Sequence, residues 1–145
     1  MASTVRDLLA KKGTTVHSVD PGRTVFEALQ MLAERNVGAV LVLEDKRPIG
    51  ILSERDYARQ VILKGKASRE IPVREIMTRD VVCVRPEQTI EDCMQLMTDK
   101  HIRHLPVVSG EEVVGLVSIG DVVKVLLEEK QFRIEQLEGY ITSGG

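Results

Sequence analysis

Two seven-residue stretches hold the residues of this sequence whose types and spacing could do chemistry. Gly50-Ile-Leu-Ser-Glu-Arg-Asp56 and Gly115-Leu-Val-Ser-Ile-Gly-Asp121 share the order glycine, two apolar residues, serine, two variable residues, aspartate. Where a strand turns into a helix, Ser-x-x-Asp can form a capping box that satisfies orphan amides. The same geometry suits a ligand. A helix N-terminus offers unpaired amides and the positive end of a dipole to an anionic phosphate. A serine hydroxyl can donate to that phosphate, and a carboxylate, which only accepts, is matched by a ribose diol. Gly50 and Gly115 would let the backbone approach such a ligand closely. Ser53, Asp56, Ser118 and Asp121 are therefore the first candidates for a site.

The two stretches lie 65 positions apart, and the register holds without a gap from Asp20 and Arg85 to beyond Tyr57 and Val122. Within it Pro21 falls on Pro86, Thr24 on Thr89, Gln30 on Gln95 and Val42 on Val107. A gapless match of this length is an internal duplication. Two copies are too few for a solenoid and predict a pair packed face to face.

No second chemical pattern emerges. His17, His101 and His104 have no Cys or Ser nucleophile as companion, and His101 and His104 lack a carboxylate at metal-ligand spacing. Cys83 and Cys93 read as small core residues in a reducing compartment rather than as a disulfide or metal site. No enzymatic activity, catalytic cofactor or metal is expected. With 145 residues and 43% hydrophobic content the chain can bury a core. Its 20 basic and 22 acidic residues give no positive field for nucleic acid, and two Tyr, two Phe and no Trp make a poor base-stacking platform. No apolar run approaches the ~20 residues of a membrane span. The opening Met1-Ala-Ser-Thr-Val-Arg-Asp lacks the order of a signal peptide. A cytoplasmic protein is expected.

The elements that must position the motifs follow from periodicity. Residues 5–9 and 73–77 read as short helical arms, the first followed by three extra residues around Lys11-Lys-Gly-Thr-Thr15. Strands over 16–19 and 81–84 end at Pro21 and Pro86, which cannot donate to a ladder. Capping boxes at Thr24 and Thr89 open helices with apolar stripes. Paired strands buried on both faces follow, over 39–43 with 49–52 and over 105–108 with 113–117. Each Ser-x-x-Asp then opens a second helix. The first stops near Leu63, with Gly65 as a left-handed cap, and the second runs to Leu127. Residues 64–72 link the copies. In the charged tail Phe132, Ile134 and Leu137 form an apolar minority on a solvated helix, and Phe132 and Leu137 would suit an oligomer contact. The expected fold class is α/β, with two repeats, each a small three-stranded sheet flanked by two helices, packed sheet to sheet. The expected divisions are residues 1–68, 69–130 and 131–145.

Further residues make the pattern specific: Met77-Thr-Arg-Asp80, Val84-x-Pro-x-x-Thr-Ile90 and His101-Ile-Arg-His-Leu-Pro-Val-Val108. Together with the second Gly-to-Asp stretch they resemble a tandem pair of CBS domains (cystathionine-β-synthase-type, a Bateman module), from about residue 5 to 127. The resemblance implies a regulatory module with adenosine nucleotides in clefts between the repeats. The ligand would be AMP in the first place, otherwise ATP, NAD(H) or S-adenosylmethionine. It implies that Asp121 holds the ribose hydroxyls and Ser118 lies near the phosphate. Thr78, Val81 and Val82 would line the adenine, with Ile102, Leu105 and Pro106 opposite and Arg103 and His104 toward the phosphate. The first-copy equivalents are Val16, His17, Ser53 and Asp56, with Arg55 and Arg59 within reach of a phosphate. The first copy departs from the pattern, since Gly38 and Ala39 stand in place of Arg103 and His104. The resemblance further implies a homodimer and an unidentified regulated protein. The rival reading is a structural or oligomerisation module with empty clefts, its Ser-x-x-Asp motifs serving only as caps.

Overall fold

In the computed structural model the described residues are 3–63, 65 and 69–144, with side chains described as far as residue 139. The expected boundary at residue 68, and residues 64 and 66–68 of the expected 64–72 link, lie outside them. Helix α1 (Val5–Lys12) opens on a capping box between Thr4 and Asp7. Strand β1 (Ser18–Val19) leads to helix α2 (Val25–Arg35), capped by Thr24. Strands β2 (Ala39–Glu44) and β3 (Arg47–Ser53) form an antiparallel hairpin, and β1 adds to β2 in parallel. Helix α3 (Glu54–Tyr57) continues into a π-helical stretch, Ala58–Ile62, and Gly65 takes a positive φ of 68°.

The second copy repeats the plan. A 3-10 turn (Val73–Glu75) precedes helix α4 (Ile90–Lys100), the hairpin of β4 (His104–Ser109) and β5 (Glu112–Ser118), and helix α5 (Ile119–Gly144). Both hairpins slip register at equivalent places, Val42/Leu43 and Val107/Val108. The central strands β2 and β4 are buried, whereas β3 and β5 alternate between buried and partly exposed residues. The expectation of runs buried on both faces thus holds only for the first strand of each hairpin. The second sheet also has two strands rather than three. Of residues 81–84 only Val84 pairs: its amide donates to Pro106 and its carbonyl accepts from Val108. Val81 and Val82 run between the repeats instead. Finally, the second helix does not stop near Leu127 but continues as α5 through the charged tail.

The cores show how the copies are joined. Val5, Leu8 and Leu9 of α1 are buried in the core of the second repeat, with Val84, Ile90, Leu105 and Val117. Ile71, Val73, Ile76 and Met77 are buried in the core of the first, with Val25, Val40 and Leu52. Each arm packs on the other copy. Backbone bonds dock both arms alike: Val5 N–H to Gln88, Arg6 N–H to Pro86 and Ile90 N–H to Ser3 on one side. Val73 N–H to Arg23, Arg74 N–H to Pro21 and Val25 N–H to Ile71 match them on the other.

This exchange explains the two motif glycines. A Cβ on Gly115 would lie 2.7 and 2.8 Å from the methyl groups of Leu9. One on Gly50 would run into the side chain of Met77 and lie 3.1 Å from the Thr78 carbonyl oxygen. The space above each glycine is filled by the exchanged arm, not kept for a ligand, which corrects the expectation drawn from the motif. Gly115→Ala should therefore cost about 1–3 kcal/mol of stability through overpacking, measured by urea unfolding. In a Leu9→Ala background the same change should cost clearly less, by more than the ~0.3–0.5 kcal/mol scatter of independent sites. An equal cost in both backgrounds would show that Leu9 is not the obstacle.

Candidate functional site

The arm exchange sends two connecting segments across the gap between the repeats. Thr78 pairs with Ile51 of β3, its amide donating to the Ile51 carbonyl, and the chain then crosses to Val84 on the second sheet. This crossing forms part of the wall of a cleft of about 550 Å3. Ser53, Arg55, Asp56 and Arg59 line it from the first repeat, with Gly38, Ile51 and Glu54. Thr78, Val81 and Val82 line it from the crossing, and Ile102, Arg103 and His104 from the second repeat. Asp80 and His101, which belong to the quoted motifs without being expected at the site, also line it.

The grouping expected from each copy by itself is corrected. Ser118 and Asp121 do not join Val81, Val82 and Arg103; Ser53 and Asp56 do. The crossing segment follows the exchanged arm, so its residues reach the other copy's Ser-x-x-Asp. Leu105 is fully buried in the second core and Pro106 is buried beside it, so neither forms the opposite wall. Val16 and His17 lie outside this cleft as well.

Both motifs are built as caps. The Asp56 amide donates to Ser53 Oγ at 3.1 Å, while Asp56 Oδ2 accepts from the Ser53 amide and hydroxyl, each at 3.0 Å. The Asp121 amide donates to Ser118 Oγ at 3.2 Å and Asp121 Oδ2 accepts from the Ser118 amide at 2.9 Å. The two carboxylates differ in their further partners. Asp56 Oδ1 accepts a long bond, 3.3 Å, from the neutral hydroxyl of Thr78. Asp121 Oδ2 meets the ammonium of Lys12 at 2.5 Å, in a pair that is partly exposed. Burial raises the Asp121 carboxyl, but the hydrogen bonds and charge of Lys12 and Ser118 outweigh it and hold the group below the usual carboxylate value. Lys12, expected in the loop behind the first arm, is instead the last residue of α1.

His104 sits where the two copies meet, its ring against Gly38. Burial, and next the positive charge of Lys12, push its pKa below the ordinary 6.5, against the opposing pull of Asp121 and Asp56. Cys93 is buried in the second core, which pushes its thiol up to about 11, and burial also raises Cys83. Neither is an activated nucleophile. Among the described residues no cluster of three His, Cys, Asp or Glu could hold a metal ion. No helix of these residues is long and apolar enough to cross a membrane.

Two duplicated α/β halves, exchanging arms around a charged and apolar cleft, define a paired-repeat module. The chain belongs to the CBS domain family, whose model matches residues 4–62 and 73–128. It is 36% identical over 152 aligned positions to CBS domain-containing protein CBSX3, mitochondrial, of Arabidopsis thaliana, covering 99% of this chain and 74% of that one. CBS domain-containing protein YhcV of Bacillus subtilis is 36% identical over 119 positions, with 82% of each chain covered. Among solved structures, a CBS-domain protein from Burkholderia ambifaria superposes with a TM-score of 0.83 at 41% identity, over 87% of this chain and 95% of that one.

The depressed pKa of His104 has a consequence for stability. Below pH 6.5 the unfolded chain takes up a proton that the folded ring resists, so the contribution is complete above 6.5 and declines as pH falls toward the folded value. Ring resonances should titrate His104 below 6.5. His104→Gln should flatten the loss of urea stability below that pH; an unchanged slope would assign it to other groups.

Proposed function

We propose that this protein is a regulatory module that binds an adenosine nucleotide in the Asp56 cleft and relays its occupancy to a partner protein. One observation carries the reading. A cleft of about 550 Å3, within the range of small-molecule sites, gathers an acceptor carboxylate, apolar walls and basic side chains from both repeats. Ile51, Val81, Val82 and Ile102 offer apolar surface to a base. Asp56 has a loosely held carboxylate oxygen to receive a ribose diol. Arg55, Arg59, Arg103 and His104 supply the groups that meet a phosphate. Such a set favours AMP first, with ATP, NAD(H) and S-adenosylmethionine as the other members of the class. A solved CBS domain pair with a TM-score of 0.78 holds 5'-methylthioadenosine and S-adenosyl-L-methionine; at 21% identity that likeness speaks for the fold. A ligand touching both repeats stabilises one relative placement over others, and the partner reads that difference. The reading is of a non-catalytic, cytoplasmic homodimer.

The second reading, a ligand-free structural module, draws on the complete capping geometry of both motifs. It also draws on the exposed side chains of Ile62, Leu63, Leu127, Phe132 and Leu137. The two readings part on one experiment. Melting would be followed with AMP, ADP, ATP, NAD, NADH and S-adenosylmethionine, using protein freed of co-purified nucleotide. A ligand at about a hundred times its Kd adds ~2.7 kcal/mol, a rise of about 5 to 11 °C for a chain of this size. Asp56→Ala should lose about 1 kcal/mol of capping stability on either reading. On the sensor reading it also loses the ligand-induced rise. A flat panel with the wild-type chain would leave the structural module.

A further inference from the structure

We infer that Lys12 is a built-in occupant of the second nucleotide position, so that the chain offers one site where its duplication would provide two. The inference rests on the reading of the Asp56 cleft and extends it to the pseudo-equivalent place at Asp121. The exchanged arms bring different side chains to the two carboxylates. Beside Asp56 comes Thr78, neutral and at 3.3 Å. Beside Asp121 comes Lys12, whose ammonium donates to Asp121 Oδ2 at 2.5 Å and to the Leu116 carbonyl oxygen of β5 at 2.6 Å. Two of the three ammonium donors are thereby committed to acceptors on the second repeat.

A ribose diol reaching Asp121 would meet this cation on Oδ2 and, to engage both carboxylate oxygens, would have to displace it. The ammonium is a stronger partner for a carboxylate than a pair of neutral hydroxyls, because its bond is charge-assisted. It is also held in place. Lys12 ends α1, and that helix is anchored by Val5, Leu8 and Leu9 in the second core. The competing group is covalently present at a fixed position, so a free ligand meets it at high effective concentration.

The surrounding sequence agrees with a position that has given up an anionic ligand. In the 65-residue register Arg55 corresponds to Gly120, Arg103 to Gly38 and His104 to Ala39, and Lys124 alone answers Arg59. The basic groups that line the Asp56 cleft are thus mostly missing from their counterparts, while Lys12 supplies a cation to the carboxylate from within. The device also ties the arm to the site: freeing Asp121 requires the Lys12 side chain to leave both Asp121 and the Leu116 carbonyl.

Calorimetric titration of the whole chain with AMP tests this through stoichiometry. Wild-type protein should bind one AMP per chain. Lys12→Met, which keeps the aliphatic stem, should bind two, the added site weaker than the first. Lys12→Ala serves as a second variant should the first not show a wild-type-like melting transition. Adding Asp121→Ala to either variant should remove the gained site. Two sites in the wild-type chain, or no gained site in the Lys12 variants, would overturn the inference. If the wild-type chain binds no AMP and the Lys12 variants bind one, the Asp56 reading fails and the lock at Asp121 stands. If none binds, both fail.

Discussion

The rest of the structure depends on the crossing of each arm over the other copy's hairpin. Leu9 lies on Gly115 and Met77 on Gly50, at distances that leave no room for even a methyl group on the glycine. A close-packed interior has little tolerance for a missing or added carbon at such a place. The contact therefore fixes where each arm can dock. Because the docking is reciprocal, neither repeat has its full core without the other: Val5, Leu8 and Leu9 complete one, Ile71, Val73, Ile76 and Met77 the other. The duplication is thus a single cooperative unit rather than two independent beads.

The site is a by-product of that exchange. A segment that starts in one core and ends in the other must cross the gap between them, and it carries its side chains past the opposite Ser-x-x-Asp. Val81 and Val82 are spared from the sheet by this crossing, and only Val84 pairs. The cleft's walls come from both repeats for the same reason, and a ligand held there contacts both. The two crossings are related by the pseudo-symmetry but not by sequence. Lys12, at the end of α1, reaches Asp121, and the electrostatic result differs on the two sides. Asp121 is neutralised by an internal cation, whereas Asp56 faces arginines and a neutral hydroxyl.

Both motifs also work as helix caps, which is why their residue types are doubly determined. Ser53 and Asp56 exchange hydrogen bonds with each other's backbone, and so do Ser118 and Asp121. A cap and an acceptor for a diol use different oxygens of one carboxylate, so the two roles are compatible at Asp56. At Asp121 one oxygen, Oδ2, takes both the cap and Lys12.

The sequence by itself determined the duplication, the order of elements in each copy, the helix starts at Thr24 and Thr89, and the family. These are set by local chemistry and by a repeat register that needs no coordinates to be seen. It also supplied Ser53, Arg55, Asp56, Arg59, Thr78, Val81, Val82, Ile102, Arg103 and His104, which share the cleft. Only the tertiary structure decided how they combine. A register compares each copy with the other position by position, and so it groups Asp121 with Val81 and Arg103. An arm exchange is invisible to it, since the same apolar residues at 5–9 and 73–77 would fit either core equally well on pattern alone. The partner of Asp121 and the reason for Gly50 and Gly115 follow from that one long-range choice. It is made by packing and loop closure, not by the local sequence.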